Sequence, residues 1–384
     1  MKRLLVLCNG AGEDAIAAKI LARLPEEMQS SVVCCPLVGE GKALASRYEL
    51  CGPRVLPPSE GLFRESALLA ARDLWHGVLA GHLGQLKFLR RCRQEVGLTV
   101  AVGDLFPVLW GGLAGHRKLL FVGTAKSVYH HPYSAPERWL LRRFATRSLV
   151  RDAATASRLQ EQEVNAQWVG NAMMDEVQPT GKDLPGIGTG PLVTLFPGSR
   201  AQASEVLPFQ LDAISSLSAR LGGSLQAAVA AAPGTDPSVL VESCEGWELQ
   251  PSAGGDGLLS TLVKGEQRVS ILVGRLGDLL AHSALVLGQA GTANEQAAGA
   301  GVPVVAYDTR AGKSLRWYRK RQKGLLGDAV AVVAPTLEAV VEEAFRLLSD
   351  PHEHRRRAEI GRERMGPAGG TQKMAAEIVA LWNP

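Results

Sequence analysis

Nothing in this sequence approaches a membrane-spanning helix. The best candidate, Leu98–Gly115, is broken by Asp104 and Pro107, whereas a span needs about 20 predominantly apolar residues. The run Lys2–Cys8 is basic and then apolar, but it passes at once into Asn9-Gly10-Ala11-Gly12-Glu13-Asp14. It reads as a strand entering a polar loop, so no secretory signal is expected. Cysteine is scarce and never spaced as CxxC: the six lie at 8, 34, 35, 51, 92 and 244. Neither a zinc site nor a disulfide framework is expected, and buried free thiols in a reducing cytosol are. There is no GKS/T Walker loop after a strand, no HExxH and no G-x-S-x-G elbow. The doublet His130-His131 has no further His or Cys near it, so it reads as a loop lining a cleft and not as a metal site. A net charge of +4 is too small to imply nucleic acid, and no RNA- or DNA-binding motif accompanies it.

What is present is a full core, at 46% hydrophobic and 21% charged residues, and a regular alternation. Short Val- and Leu-rich runs stand at Arg3–Cys8, Ser31–Cys35, Leu98–Val102, Lys118–Val122, Ser148–Val150 and Ala166–Val169. Six more follow at Pro191–Phe196, Leu225–Ala231, Val269–Val273, Ala284–Leu287, Pro303–Tyr307 and Ala329–Val333. Each is usually followed by Gly, Pro or Asp, and amphipathic stretches separate them. That is the pattern of buried parallel strands with helical crossovers. So many strands exceed one ordinary doubly wound sheet, so two sheets are expected. Residues 177–191 carry three prolines and four glycines and read as a linker. The expected organisation is an N-terminal Rossmann-like domain over 1–176, a linker over 177–190, a second Rossmann-like domain over 191–350, and C-terminal helices over 351–384.

In open parallel sheets ligands bind at the carboxyl ends of strands, and four loops there carry chemistry. Gly10-Ala11-Gly12-Glu13-Asp14-Ala15 fits G-x-G-x-x-A, but the second strand ends without the acid that a dinucleotide site would need. A tight strand-to-helix turn and a loop facing an acceptor sugar both remain open. Pro197-Gly198-Ser199-Arg200 offers a sharp turn, a hydroxyl and a permanently charged fork suited to phosphate, or else a surface turn. Gly288–Ala298 runs from a strand through small residues into a helix, a place where free N–H groups and the helix dipole suit a diphosphate. Thr292 adds a hydroxyl there. Glu295 either accepts ribose hydroxyls or closes a capping box three residues after Thr292. Asp104 ends an apolar strand and is the only acid between Glu95 and Glu137. It is a general-base candidate or an Asx turn or helix cap.

These segments resemble the lipid-A-disaccharide synthase family. "LFPGSRAQASE" looks like that family's LPGSR…E motif, and "GQAGTANEQAAGAGVPVVAY" like its SGTA-x-x-E segment and the strand after it. "WVGNAMMDE" is similar to its VGHP-x-x-D, "AVGDLFPVL" stands where it has VGIDAPDFN, and "LRWYRKR" resembles FTFWLAKRL. The resemblance is strongest over residues 98–320. It implies the GT-B fold and an inverting glycosyltransferase that moves a sugar from a UDP-sugar to a lipid or glycolipid acceptor. It also implies no metal and no cofactor, the UDP-sugar being a substrate. Gly198, Ser199, Arg200, Gly291, Thr292, Ala293 and Glu295 would hold the UDP-sugar, with Asp104 and Arg200 catalytic. Gly10, Gly12, Glu13 and Asp14 would form the acceptor side. The family's segment has two aspartates where this chain has Asp104 alone, and its GE-x-SGD survives only as Gly12-Glu13-Asp14. A UDP-sugar epimerase on the same fold and a nucleotide-sugar-binding protein without catalysis are the alternatives.

Residues 62–93 carry six Lys/Arg against two acids, with Leu, Phe and Trp at helical spacing, and Arg138, Arg142, Arg143, Arg147 and Arg151 cluster around Trp139. They read either as ordinary amphipathic core helices or as contact with an anionic membrane surface. The expected location is cytoplasmic, peripheral on the inner face of the membrane, and a homodimer stays open.

Overall fold

The computed structural model describes residues 2–56, 78–198, 203–252, 255–307 and 313–382. The chain forms two compact units, Met1–Ala172 with Ala368–Pro384, and Met173–Pro367.

The first unit is built on strands β1 (Arg3–Cys8), β2 (Val32–Pro36), β3 (Glu49–Leu50), β4 (Val96–Gly103), β5 (Leu119–Gly123), β6 (Arg147–Leu149) and β7 (Ala166–Gln167). They are all parallel, in the order β3-β2-β1-β4-β5-β6-β7. Helices α1 (Ala11–Leu21), α2 (Val78–Cys92), α3 (Leu105–Ala114), α4 (Ala135–Phe144) and α5 (Ala153–Gln160) make crossovers. Side chains alternate along β1. Leu4, Val6 and Cys8 pack with Ile20 and Leu21 of α1, while Leu5 and Leu7 pack with Leu89 of α2 and Ala114 of α3. A strand covered on both faces must be apolar throughout, so these runs were legible as strands.

The second unit holds β8 (Leu192–Phe196), β9 (Gln226–Ala231), β10 (Glu248–Pro251), β11 (Leu258–Lys264), β12 (Gln267–Val273), β13 (Ser283–Gly288), β14 (Val304–Tyr307) and β15 (Val330–Val333). Their order is β10-β11-β12-β9-β8-β13-β14-β15. The β10–β11–β12 edge is antiparallel and the rest parallel. Its helices include α6 (Ala203–Arg220), α7 (Leu276–His282), α8 (Thr292–Ala300), α9 (Lys313–Leu326), α10 (Leu337–Ser349) and α11 (Pro351–Met365). The closing helix α12 (Gly370–Leu381) belongs to the first unit.

All twelve apolar runs are strands. The sequence pattern missed β3, β10 and β11, and for one reason: they lie at a sheet edge or next to one and mix polar with apolar residues. β10 reads Glu-Leu-Gln-Pro and is largely exposed.

The segment 177–190 is held into the second unit by ion pairing and hydrogen bonds. The buried carboxylate of Asp278 accepts from Thr180 N at 2.6 Å and Arg275 Nε at 2.7 Å, and Arg275 donates to the carbonyls of Lys182 and Asp183 at 2.9 and 3.0 Å. The residues of 351–384 divide between the units. Gly361 of α11 lies so close to α8 that a Cβ would fall 2.1 Å from the Ala298 carbonyl oxygen. In α12, Glu377 pairs with Arg147. All six cysteines are free thiols. Cys8, Cys34, Cys35 and Cys244 are buried, whereas Cys51 and Cys92 are only half-buried.

Candidate functional site

Each sheet has one place where the strand order reverses, and crossovers leave it in opposite directions. In the first unit that is between β1 and β4, in the second between β8 and β13. Such switch points open a crevice at the carboxyl ends, and the sequence-derived loops sit there.

In the first unit, Gly10 is the N-cap of α1, and Glu13 and Asp14 occupy its first turn. Gly103 ends β4 with φ of 125°, and a Cβ there would lie 2.1 Å from Asn9 Oδ1 and 2.8 Å from Glu13 Cγ. Glycine is therefore required for the β1 and β4 loops to approach. The next residue, Asp104, is the N-cap of α3, its Oδ1 accepting from Phe106 N–H at 2.8 Å. Its capping role is thus real, and the second carboxylate oxygen is left over from it. Glu13 is half-buried, and burial followed by repulsion from Asp104 raises its pKa against its own backbone hydrogen bond. Asp14 is buried against Cys8 instead. Burial outweighs the Cys8 hydrogen bond, and with repulsion from Glu13 pushes Asp14 up to about 6. Gly12 is exposed. Beside them, Thr124 N–H donates to the Gly103 carbonyl at 3.2 Å, and Lys126 pairs with Glu137 at 2.8 Å. The Tyr133 hydroxyl is buried, and its pKa is raised by burial first and then by Glu137, Asp152 and Asp104. Lys126 and Tyr133 were not among the sequence-derived candidates, although both lie in the loop between β5 and α4.

In the second unit, Gly198 follows β8 with φ of 108°. Ser199 and Arg200 lie outside the described residues. Gln289 N–H bridges the switch point to the Phe196 carbonyl at 2.8 Å. Gly291 is the N-cap of α8, with Thr292, Ala293 and Glu295 in its first turn. Thr292 is therefore the first helical residue and not the cap, which places Glu295 one position too far along for a capping box. Its carboxylate is nonetheless largely buried. A cavity of about 330 Å³ adjoins this place, lined by Gly198, Ser204, Pro233, Thr235 and Asp236 among others. A larger one of about 390 Å³, beside Arg3, Cys51 and Cys92, lies near the amino ends of β1 and β4 and touches none of these loops.

Beneath the 289–291 loop lies a polar cluster that the sequence did not single out: Gln210, Asn294, Arg319 and Gln322, each at most 1% exposed. Gln210 donates to the Leu287 carbonyl at 2.9 Å, and Asn294 to the Gly288 carbonyl at 3.1 Å. Arg319 donates to the Gln289 carbonyl at 3.0 Å, and Gln322 to the Gly291 carbonyl at 3.0 Å. In sequence Arg319 and Gln322 belong to the basic run of α9, where nothing separates an inward guanidinium from a solvated one. Among the described residues no group of three or more His, Cys, Asp or Glu is placed to hold a metal ion.

No family model matches this chain, and no curated protein matches it. Solved structures do, at low identity. The calicheamicin glycosyltransferase CalG4 is similar at a TM-score of 0.59 and 16% identity, over 99% of this chain and 98% of that one. The kitacinnamycin glycotransferase gives 0.58 and 15% over the full length of both. The UDP-GlcNAc 2-epimerase of Neisseria meningitidis, solved with UDP-GlcNAc, gives 0.52 and 12% over 99% of each chain. The fold is GT-B, two Rossmann-like units of one chain, as the resemblance implied.

Proposed function

We propose that this chain is an inverting glycosyltransferase, similar to lipid-A-disaccharide synthase, that moves a sugar from a UDP-sugar to a lipid or glycolipid acceptor. The observation that carries the reading is the loop 289–291. It sits at the β8/β13 switch point, opens into α8, and has a buried carboxylate, Glu295, one turn inside the helix. A diphosphate would take the N–H groups at the start of α8, with Thr292, Gly198, Ser199 and Arg200 around it, and Glu295 would take ribose hydroxyls. Arg200 would offset the charge that grows on the leaving UDP.

The acceptor side is assigned to the first unit. The acceptor hydroxyl attacks the sugar's anomeric carbon, its proton passes to a carboxylate, and the bond to UDP breaks. We assign the proton to the Glu13–Asp104 pair. A base works best with a pKa near the working pH, which favours Glu13, whose pKa is raised. Asp104 stands beside it, one carboxylate oxygen committed to the helix cap.

The test is product analysis by mass spectrometry with a panel of UDP-sugars and a total lipid extract. A sugar-bearing lipid together with free UDP is the expected outcome. A second reading, 2-epimerisation of a UDP-sugar, is favoured by the likeness to the Neisseria enzyme. It would show as conversion of the UDP-sugar with no acceptor added. Binding of UDP-sugar with neither conversion nor UDP release would leave only a nucleotide-sugar-binding protein.

A further inference from the structure

In the proposed donor site the loop 289–291 meets the diphosphate. The structure also says what aims that loop. Four successive carbonyls, those of Gly288, Gln289, Ala290 and Gly291, are turned into the interior. Asn294 Nδ2 donates to the first at 3.1 Å and Arg319 Nη2 to the second at 3.0 Å. Arg319 Nη1 and Gln322 Nε2 reach the third at 3.5 and 3.3 Å, and Gln322 Nε2 donates to the fourth at 3.0 Å. No peptide bond among the described residues is cis, and in a trans peptide the C=O and N–H point in opposite directions. Turning the carbonyls of 289, 290 and 291 inward therefore turns the N–H groups of Ala290, Gly291 and Thr292 outward, toward the open end of the sheet. Outward N–H groups on consecutive residues make an anion-binding concavity.

The two side chains that impose this are themselves oriented. Arg319 Nη1 donates to Gln322 Oε1 at 2.6 Å, so that amide can present only its NH₂ to the loop. Arg319 also donates to the side-chain oxygen of Gln289, whose own amide reaches the Tyr307 carbonyl. Both residues are buried from solvent, at 1% and 0% exposed, so neither is placed to touch a substrate.

We propose that Arg319 and Gln322 are positioning residues, which hold the backbone of residues 289–291 in the one orientation that offers its N–H groups to a nucleoside diphosphate. The proposal rests on the donor reading, and it predicts an effect confined to the diphosphate half of the ligand. The probes are UDP, measured by calorimetry, and uridine, measured by ligand-observed NMR. They are applied to the full chain as wild type, Arg319→Gln and Gln322→Glu. Arg319→Gln keeps a polar group but loses the fork. Gln322→Glu keeps shape and the acceptor for Arg319, adds an ion pair, and replaces the donor to the loop with a second acceptor that repels its carbonyls. It therefore serves should Arg319→Gln fail to fold. The expected result is a loss of UDP affinity of about 10- to 100-fold, the usual scale for displacing binding groups by an ångström or so, with uridine affinity unchanged. Wild type that binds uridine but not UDP, or neither, overturns the donor reading itself. Wild type that binds UDP while a folded variant binds it equally well overturns the positioning role. Equal loss of UDP and uridine overturns it too, as the sign of a general collapse.

Discussion

At the scale of single residues, three carboxylates crowd the end of β1 and β4, and their surroundings separate them. Asp104 caps a helix, Glu13 is half-buried beside it, and Asp14 faces the core against Cys8. If the Glu13–Asp104 pair takes the acceptor's proton, Glu13→Gln should lower kcat by roughly 10²–10⁴-fold, the range for a lost general base, and leave UDP affinity intact. Asp104→Asn keeps a good capping side chain, so it should fold normally. It should also move the acid limb of the kcat/KM profile to lower pH, because the charge that raises Glu13 is gone. A normal turnover in Glu13→Gln would send the search back to Asp104 alone. Asp14 makes a different prediction. Its folded pKa of about 6 stands above the ordinary aspartate value of 3.8, so the fold prefers the protonated form. Stability from this group is present below pH 4 and is lost as pH rises through 6. Asp14→Asn should therefore stabilise the protein at pH 7.5, by about 1–2 kcal/mol after allowing for solvent screening, and bring no gain at pH 4. Equal melting shifts at both pH values would mean that the carboxyl is not titrating in place.

At the scale of elements, the start of α8 decides what Glu295 is for. The spacing from Thr292 permitted a capping box, but Gly291 is the N-cap and Thr292 has already entered the helix. Glu295→Ala accordingly removes no cap. It should weaken UDP binding by about tenfold or more, as loss of hydrogen bonds to a charged group does, with a small change in melting temperature. Calorimetry with UDP and a thermal melt decide it together: unchanged affinity with a lowered melting point would make Glu295 structural. The strands show why elements were legible to different degrees. Twelve runs were readable because burial on both faces demands continuous apolar residues. The β10–β11 hairpin was not, because an antiparallel edge exposes alternate residues, as in Leu258–Lys264, where Ser260 and Leu262 alone are buried.

At the scale of the whole molecule, no helix among the described residues is long and apolar enough to cross a membrane. Helices α2, α3 and α4 pack side by side and leave Leu83, Leu113 and Trp139 at 52%, 44% and 53% exposure, with Arg90, Arg142 and Arg143 on the same helices. Residues 62–77, the first part of the stretch 62–93, lie outside the described residues. If this face meets an anionic bilayer, the protein should sediment with phosphatidylglycerol vesicles at low salt and not with phosphatidylcholine vesicles, since basic residues each add about 1 kcal/mol near such a surface. Trp139→Ala with Arg142→Glu should abolish the sedimentation, and binding that survives both would place the contact elsewhere. The sequence by itself determined two sheets with parallel cores, because buried strands announce themselves in composition. It also pointed to the loops that follow those strands, because ligands of open parallel sheets bind at the carboxyl ends of strands. Only the tertiary structure decided the rest. That Asp104 caps, that Asp14 turns inward, and that Arg319 and Gln322 reach beneath a loop some thirty residues earlier depend on which way a side chain points once distant segments meet. No periodicity along the chain encodes that direction.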